Sequence, residues 1–255
     1  MTASASPDQP FAGRIALVTG ASRGIGRASA QALALAGATV IASARTQGAL
    51  EELDDEVYAA TGRRVVLMPF DLTDGDAIDR VGAALYERFA RLDILVHAGA
   101  ILGLMTPVSH LGPKEWNRVV AANLTAPYRL IRSLEPLLRQ SDAGRALFFS
   151  SGVAANPRAF WGGYAATKAG LEALVRCWAD EIENTPIRAG ILNPGPVRTK
   201  MRAEAFPGED PATLPEPSEL APLVLELVRP DLTPPTRTVN FQDWKAKAPT
   251  AAALI

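Results

Sequence analysis

A glycine-rich turn between an apolar strand and an apolar helix constrains the fold of this chain more than any other feature. Residues 14–19 are a short, mostly apolar run of the kind that forms a strand buried on both faces. Gly20, Gly24 and Gly26 follow directly, and an Ala- and Leu-rich helix then runs to Gly37. Backbone N–H groups approach an anion closely at glycines, and the helix N-terminus adds a favourable dipole. The segment therefore predicts a phosphate-binding turn, with a glycine-rich turn that binds no ligand as the alternative.

Strands and helices alternate along the rest of the chain. Further strands are predicted at residues 38–44, 65–70, 92–96, 145–151 and 187–192, with a last one near 238–242. Helices are predicted to end near residue 61 and to cover residues 76–90, 114–140, 163–184 and about 218–228. This alternation is typical of a parallel sheet with helices on both faces, in which ligands bind at the carboxyl ends of the strands. We therefore expect one α/β domain over residues 11–242.

The composition excludes several classes of protein. The chain has 255 residues, 48% hydrophobic and 21% charged, and a net charge of −1. This near neutrality gives no basic field to attract nucleic acid or an anionic membrane, and no apolar run approaches the roughly 20 residues of a membrane span. With one cysteine, Cys177, and two histidines, the sequence indicates neither an internal disulfide nor a zinc-ligand cluster. A reducing cytoplasm is the expected compartment.

The two ends and one internal segment are expected to be irregular. Residues 1–10 lack the basic and apolar regions of a signal peptide, and we interpret them as a disordered lead. Between residues 194 and 235 lie 10 of the 20 prolines, which predicts a loop-rich lid at about 196–217 over a substrate pocket. A plain surface excursion is an equal alternative. Residues 243–255 are expected to be a tail, poorly ordered or bound to a neighbouring subunit.

An acid-base pair is predicted on the helix that begins near residue 163. Tyr164 and Lys168 are four positions apart, so they lie on one helix face. A phenol has a pKa of about 10, and a fixed cation nearby favours the phenolate. The pair would then protonate a carbonyl or deprotonate an alcohol. Taken alone, this spacing is weak evidence for catalysis, because a surface tyrosine that contacts a lysine stem is the commoner arrangement.

Two arginines favour one nicotinamide cofactor over the other. An acidic residue that binds a ribose 2′-hydroxyl is expected at the end of the second strand, but Ala44, Arg45 and Thr46 occupy that position. Arg45, together with Arg23 in the glycine turn, is suited to pair with a 2′-phosphate. We therefore expect NADP rather than NAD, with two solvated arginines as the alternative.

At this point the sequence resembles the short-chain dehydrogenase/reductase family, of its shorter type, over nearly its whole length. The matching motifs occur in the order of the family: Gly20-x3-Gly24-x-Gly26, Asp71-Leu72, Asn123, Ser151, Tyr164-x3-Lys168 and Asn193-Pro194-Gly195. The separations of 28, 13 and 4 residues from Asn123 to Lys168 are also similar to those of the family. The resemblance implies a doubly wound Rossmann-type sheet of about seven strands in the order 3-2-1-4-5-6-7.

The resemblance also implies a role for each matched residue. Tyr164 would be the acid-base group, Lys168 would lower its pKa and hold the nicotinamide ribose, and Ser151 would bind the substrate oxygen. Asn123 would hold a water molecule that links Lys168 to solvent. Besides Tyr164 and Lys168, the residues expected to contact the cofactor are Gly20, Ser22, Arg23, Gly24, Ile25, Gly26, Arg45, Asp71, Leu72, Ala98, Pro194, Gly195, Val197 and Thr199. No metal site is expected.

The chain departs from the family at two places. After the fourth strand the family has Asn-Ala-Gly, and here either Ala98-Gly99-Ala100 or His97-Ala98-Gly99 takes its place. In both registers the asparagine is absent, and in the first a methyl group at Ala100 would crowd the cofactor floor. The glycine-rich C-terminal end of the family is replaced by residues 241–245, Phe-Gln-Asp-Trp-Lys.

The function expected from these features is an NADP-dependent oxidoreductase that transfers a hydride between the nicotinamide and a ketone or secondary alcohol. A non-catalytic NADP sensor or scaffold is the alternative, motivated by the missing asparagine. The substrate and the reaction direction stay open, with pocket candidates at Leu102, residues 152–154, Trp161 and residues 201–206. A homodimer or homotetramer is expected, because the predicted helix at 114–140 is apolar on more than one stripe and the sixth helix carries Leu171, Leu174, Val175, Trp178 and Ile182, more than one sheet face needs. The resemblance implies pairing through these two helices.

Overall fold

One parallel sheet organises the part of the chain that the computed structural model describes, residues 9–232 and 238–247. Its strands are β1 (Ile15–Thr19), β2 (Thr39–Ser43), β3 (Val66–Leu67), β4 (Ile94–His97), β5 (Arg145–Phe149), β6 (Arg188–Asn193) and β7 (Val239–Asn240). Across the sheet they lie in the order β3-β2-β1-β4-β5-β6-β7, which confirms the expected topology. Because β1 is flanked by β2 and β4, the chain reverses its direction of winding there, and ligands bind at such switch points.

Helices cover both faces of the sheet. They are α1 (Gly24–Leu35), α2 (Gln47–Thr61), α3 (Gly75–Phe89), α4 (Pro113–Val120), α5 (Ala126–Leu138), α6 (Gly162–Glu181), α7 (Lys200–Ala205), α8 (Ala221–Leu227) and α9 (Phe241–Lys247). Successive β1 side chains alternate between two apolar cores, with Val18 in the core beneath α1, α2 and α8 and Leu17 in the core beneath α3, α5 and α6. The helices therefore bury the sheet on both sides and leave its carboxyl edge for the site.

The long helix expected at residues 114–140 is interrupted. A π-helical turn, Ala121–Thr125, joins α4 to α5. It contains Asn123, whose side chain is 1% exposed. Turns of this kind are rare and are concentrated at functional sites, so the interruption marks the position of Asn123.

The C-terminal end differs from the expected tail. β7 is only two residues long, and the chain passes directly into α9. Phe241 is buried, Trp244 Nε1 donates to Glu226 at 2.9 Å, and Lys245 Nζ donates to Glu219 at 2.6 Å. The expectation of disorder from residue 243 is therefore wrong as far as Lys247, because these contacts hold α9 on α8 and the turn before it. Residues 248–255, and residues 1–8 of the expected lead, lie outside the described ranges.

The apolar residues of α6 face the protein's own core. Leu171, Val175, Trp178 and Ile182 are at most 3% exposed and pack against β5, β6 and α5. The expectation that they form a surplus apolar surface is wrong, because one sheet face takes four of the five. Between residues 196 and 217, the expected lid contains α7 and a short 3-10 turn, Pro211–Thr213.

Two absences hold within the described ranges. No helix there combines the length and the apolar character needed to cross a membrane. No cluster of three or more His, Cys, Asp or Glu side chains suited to a metal ion is present among the same residues.

Candidate active site

A cavity of about 580 Å³ lies at the carboxyl ends of the strands. The turns that follow β1, β2, β4, β5 and β6 line it, together with the N-terminal half of α6 and the segment through α7. Its volume is within the range of ligand-binding pockets in general, about 300–1,000 Å³. Every residue expected to contact a cofactor lines this cavity, so the structure brings the candidate set together: Gly20, Ser22, Arg23, Gly24, Ile25, Gly26, Arg45, Asp71, Leu72, Ala98, Tyr164, Lys168, Pro194, Gly195, Val197 and Thr199.

The glycine turn is shaped by close backbone contacts. Gly20 has φ +72°, and a β-carbon there would lie 2.7 Å from the Gly99 backbone. A β-carbon on Gly26 would lie 2.3 Å from the Gly20 carbonyl oxygen. Helix α1 thus starts directly against the end of β1, and its N-terminal N–H groups face the cavity side.

These contacts decide between the two registers for the segment after β4. Gly99 is the glycine that packs on Gly20, and β4 ends at His97, which pairs with Thr19 of β1. His97-Ala98-Gly99 therefore takes the place of Asn-Ala-Gly. Ala100 is one residue beyond this close contact and itself lines the cavity, so the effect of its methyl group on the cofactor stays a prediction.

His97 replaces the missing amide with a buried imidazole. The ring is 1% exposed, and a 2.8 Å hydrogen bond joins its Nδ1 to Thr19 Oγ1. The same hydroxyl accepts from the Gly99 backbone N–H at 3.4 Å. Burial, and secondarily the positive charge of Lys168, lower the pKa of His97 to about 3. A neutral ring therefore secures the end of β4 to β1.

Tyr164 lies on the first turns of α6 beside Ser151, and both residues line the cavity. Burial raises the pKa of Tyr164 to about 12, and a hydrogen bond with the Ser151 side chain lowers it by a smaller amount. This is opposite to the direction expected from Lys168. Burial is the cause of this direction, and Lys168, whose Nζ is 5.8 Å from the Tyr164 ring centroid, instead donates to the Phe149 carbonyl oxygen at 2.7 Å.

One turn beyond Lys168 on α6 lies a buried carboxylate, Glu172, which was not among the expected site residues. Burial lowers the pKa of Lys168 to about 8, while the Glu172 carboxylate opposes this shift. Glu172 is 8% exposed and accepts a 2.6 Å hydrogen bond from Ser150 Oγ. Four-residue spacing from Lys168 was its one signal in the sequence. Glu172 thus ties the end of β5 to the helix that carries the acid-base pair.

Asn123 lies behind the cavity wall. Its side chain exchanges two hydrogen bonds of 2.9 Å with the backbone N–H and C=O of Ile101, and it donates to Thr167 Oγ1 at 3.2 Å. The neighbouring residue Ala122 lines the cavity. The amide therefore fixes the strand-like segment after Gly99, and the role of holding a water molecule stays a prediction.

The wall next to Tyr164 is apolar. Leu102, Trp161 and Met201 line the cavity and pack around Tyr164 and the buried Val153. The Trp161 and Tyr164 rings meet edge to face, with centroids 5.9 Å apart. Gly152 and Ala154, two other expected pocket residues, belong to a short turn with Val153 and are not part of this lining.

The two arginines expected at a 2′-phosphate differ little in exposure. Arg23 is exposed at the N-cap position of α1. Arg45 is 60% exposed after β2, and its nearest acid is Asp71 at 3.9 Å. Asp71 itself accepts from the backbone and hydroxyl of Thr73, at 2.8 and 2.9 Å. Such an exposed, loose ion pair contributes little to stability. The guanidinium group of Arg45, like that of the exposed Arg23, is therefore available at the cavity.

Comparison with known proteins gives one consistent family. The family model described as short chain dehydrogenase matches residues 14–210. An uncharacterized oxidoreductase, YciK of Escherichia coli K12, is 39% identical over 220 residues, which are 86% of this chain and 87% of that protein. The 3-oxoacyl-[acyl-carrier-protein] reductase FabG of the same organism is 33% identical over 191 residues, 75% of this chain and 76% of that one.

Solved structures agree with the sequence comparison. A short chain dehydrogenase from Shigella flexneri, complexed with NADP, superimposes with a TM-score of 0.88 at 37% identity and covers 92% of this chain and 99% of its own. A second, from Escherichia coli CFT073 and complexed with NADPH, gives a TM-score of 0.88 at 36% identity and the same coverage of 92% and 99%.

Proposed function

The chain belongs to the short-chain dehydrogenase family, and from this premise we propose that it is an NADP-dependent oxidoreductase that transfers a hydride between the nicotinamide and a ketone or secondary alcohol. One observation carries the proposal. The Tyr164 and Ser151 hydroxyls and the Lys168 ammonium line the same cavity as the glycine turn, beneath the carboxyl ends of β1, β4 and β5. A proton donor, an oxygen-binding hydroxyl and an anion-binding turn are the parts that such a reaction requires.

The residues present fit NADP. Gly20, Gly24 and Gly26 leave the α1 N-terminus open to a pyrophosphate, and side chains at two of these positions would strike backbone atoms. Arg23 and Arg45, exposed near the end of β2, are suited to bind a 2′-phosphate. The NADP and NADPH complexes of the two related proteins support the same choice. We assign contacts to the cofactor to the whole set expected above, including Asp71, Leu72, Ala98, Val197 and Thr199.

The chain's own residues would position the carbonyl and supply a proton. When bound, the nicotinamide supplies or accepts the hydride. Ser151 donates a hydrogen bond to the substrate oxygen, and Tyr164 transfers its phenolic proton to that oxygen as the carbonyl is reduced. Burial raises the pKa of Tyr164 to about 12, so the phenol carries at neutral pH the proton that reduction of a carbonyl requires. Lys168 donates to the Phe149 carbonyl oxygen, and the negative charge of Glu172 supports a positive charge on the lysine beside the site.

We also propose a role for Asn123 and a mode of assembly. Asn123 holds the Ile101 segment in place and, as in the family, is assigned the water molecule between Lys168 and solvent. For assembly we propose a homodimer or homotetramer formed through α5 and α6. A groove between these helices supports it, lined by Tyr128, Ile131, Arg132, Glu135, Leu174, Cys177 and Glu181, together with the largely buried core residue Trp178. A cytoplasmic location stays a prediction, as do the lead at residues 1–10, the single domain at 11–242 and the boundary of the tail.

Substitution Tyr164→Phe tests the reaction. It removes the proton donor and keeps the ring that packs on Trp161, so we expect turnover of a carbonyl panel with NADPH to fall at least about a hundredfold. NADPH affinity and the melting temperature should change little. Full activity in this variant would refute the proposal. Tight NADPH binding by the unmodified chain without any turnover would favour the sensor or scaffold instead.

Substitution Arg45→Ala tests the choice of cofactor. Loss of one guanidinium from a 2′-phosphate should weaken NADPH binding about tenfold and leave NADH binding unchanged. Arg80→Ala is the matched control, because Arg80 is exposed on α3 and is not a cavity residue. Titrations monitored by the fluorescence of the nucleotide measure the affinity of each variant for NADPH and for NADH. Equal losses for NADPH and NADH would contradict the assignment of Arg45.

A further inference from the structure

The cavity wall next to Tyr164 is aromatic, and side chains of the segment around α7 support it. Trp161 lies 5.9 Å from Tyr164 on its cavity side, and its other neighbour is Phe206, with ring centroids 5.7 Å apart. Arg202 covers the far face of Phe206, with its guanidinium carbon 3.7 Å from the ring centroid. Glu209 fixes that guanidinium through two hydrogen bonds of 2.5 Å. The stack restricts rotation of Trp161 away from Tyr164, so the indole presents a fixed apolar surface.

The three cavity-lining arginines outside the glycine turn and the end of β2 are paired with acids of the same chain. Arg118, Arg198 and Arg202 line the cavity, and each pairs with its own partner, Glu115, Glu216 and Glu209 respectively. Lys168 donates to the Phe149 carbonyl oxygen at 2.7 Å, and the nearby charge of Glu172 opposes the fall in its pKa. Among the described residues, the other cavity-lining cations belong to the glycine turn, to the end of β2 and to the segment beside Gly24: Arg23, Arg45 and Lys200.

A carboxylate attached to the reacting carbonyl would therefore be poorly compensated by these three arginines, because each is already paired. A carboxylate transferred from water to an apolar wall loses its hydration and needs a cation or several donors in return. The nearest guanidinium behind the wall, that of Arg202, is already bound by Glu209. An aromatic or branched aliphatic group at the same place loses no hydrogen bond and gains contact with Trp161, Leu102 and Met201.

We propose that the substrate is a neutral ketone, or the corresponding alcohol, whose bulky apolar substituent packs on Trp161, Leu102 and Met201, and that α-keto acids are rejected. The inference rests on the proposed function, since it names the substrate class of that site. It goes beyond that function by assigning Trp161 to specificity and Glu209 to the exclusion of anionic substrates.

Three carbonyl compounds separate size from charge. Phenylacetone and phenylpyruvate differ in that a carboxylate replaces a methyl group, and butanone lacks the ring. With NADPH in excess, we expect kcat/KM for phenylacetone to exceed that for each of the other two by about tenfold or more. Equal or better use of phenylpyruvate would overturn the exclusion of acids. Equal use of butanone would overturn the role of the apolar wall.

Two variants test whether Trp161 sets the preference for an apolar substituent and whether Glu209 sets the exclusion of acids. Trp161→Ala should lower the ratio of kcat/KM for phenylacetone to that for butanone by about tenfold, whereas Trp116→Ala, which removes a partly exposed indole outside the cavity lining, should leave this ratio unchanged. Glu209→Gln should release Arg202 and raise kcat/KM for phenylpyruvate severalfold. If Trp161→Ala slows both ketones equally, its role is structural and the proposal fails.

A binding measurement keeps this test separate from that of the reaction. Calorimetric titration of the NADP-loaded protein with phenylacetone, and separately with phenylpyruvate, needs no turnover. Tighter binding of phenylacetone without reduction of any of the three compounds would refute the proposed oxidoreductase reaction and support the ligand class. Tighter binding of phenylpyruvate would overturn the ligand class whatever the activity.

Discussion

His97 is a histidine that the folded protein keeps uncharged. The side chain is 1% exposed, it is bonded to Thr19 at 2.8 Å, and the positively charged Lys168 is near it. Burial lowers the pKa of His97 to about 3, from an ordinary value of 6.5. Between these two pH values the unfolded chain binds a proton that the folded chain does not. The free energy of unfolding therefore falls as the pH is lowered through this window.

We expect His97→Asn to reduce the acid lability of the protein. In the unmodified chain the histidine should remove about 2 kcal/mol from the free energy of unfolding between about pH 7.5 and about pH 5. The variant, which has the asparagine of the family at this position, lacks that contribution and should have a flatter pH dependence. Urea denaturation at the two pH values measures it.

The second histidine of the chain provides the control. His110 is exposed in the segment before α4 and is not part of the core, so His110→Asn should keep the pH dependence of the unmodified protein. The comparison uses the change with pH rather than the absolute stability, because an amide and an imidazole pack differently. An unchanged pH dependence in His97→Asn would show that the imidazole is protonated in the folded state.

Helix α1 and the turn before it could be predicted almost completely from the sequence. The apolar strand, the spaced glycines and the apolar helix are each determined by local backbone geometry. The structure has β1, Gly20, Gly24 and α1 where they were expected. The spacing of Ser151, Tyr164 and Lys168 was equally informative, since helical periodicity and the strand end place the three together. Features of this kind depend on neighbours that are close along the chain.

Steric contacts at this turn give opposite predictions for two helical glycines. Gly26→Ala would place a methyl group 2.3 Å from the Gly20 carbonyl oxygen, so we expect a lower melting temperature and weaker NADPH binding. Gly48→Ala, in the first turn of α2, meets no atom within 4 Å and should be neutral or slightly stabilising. Thermal unfolding and NADPH titration of both variants check this. Similar behaviour of the two would contradict the tight packing of α1 on β1.

Three features could not be predicted because their partners are distant in the sequence. The π-helical turn at Asn123 depends on the Ile101 backbone, 22 residues away. Helix α9 depends on the acids Glu219 and Glu226, which hold Lys245 and Trp244. Trp178 was interpreted as part of an association surface, but it packs against Phe148 of β5 and donates to Glu135 of α5 at 2.8 Å. Periodicity indicates an apolar face, and it does not show which surface that face contacts.

The two edges of the sheet differ: a hydrogen-bond network joins the amino ends of the strands, and the cavity lies at the carboxyl ends. At the amino ends of the strands, Asp93 is 1% exposed and accepts hydrogen bonds from the Ile15 backbone at 2.8 Å and from Ser141 at 2.6 Å, with Arg14 at 3.3 Å. This network joins β1, β4 and the loop before β5. The cavity lies at the opposite edge, where the strands end in turns, and it shares no lining residue with the groove between α5 and α6. Pairing through that groove would therefore leave the cavity open.

The last prediction concerns that groove. Tyr128 is 48% exposed on α5 beside Leu174 and Cys177 of α6, and a carboxylate there would be desolvated in an interface between copies. We expect the unmodified protein to be dimeric or larger at micromolar concentration and Tyr128→Glu to shift it toward the monomer, as measured by light scattering. Tyr86→Glu is the matched control, because Tyr86 is 63% exposed on α3 and lies outside the groove. A monomeric unmodified chain would exclude assembly through α5 and α6, and equal effects of the two variants would place the interface elsewhere.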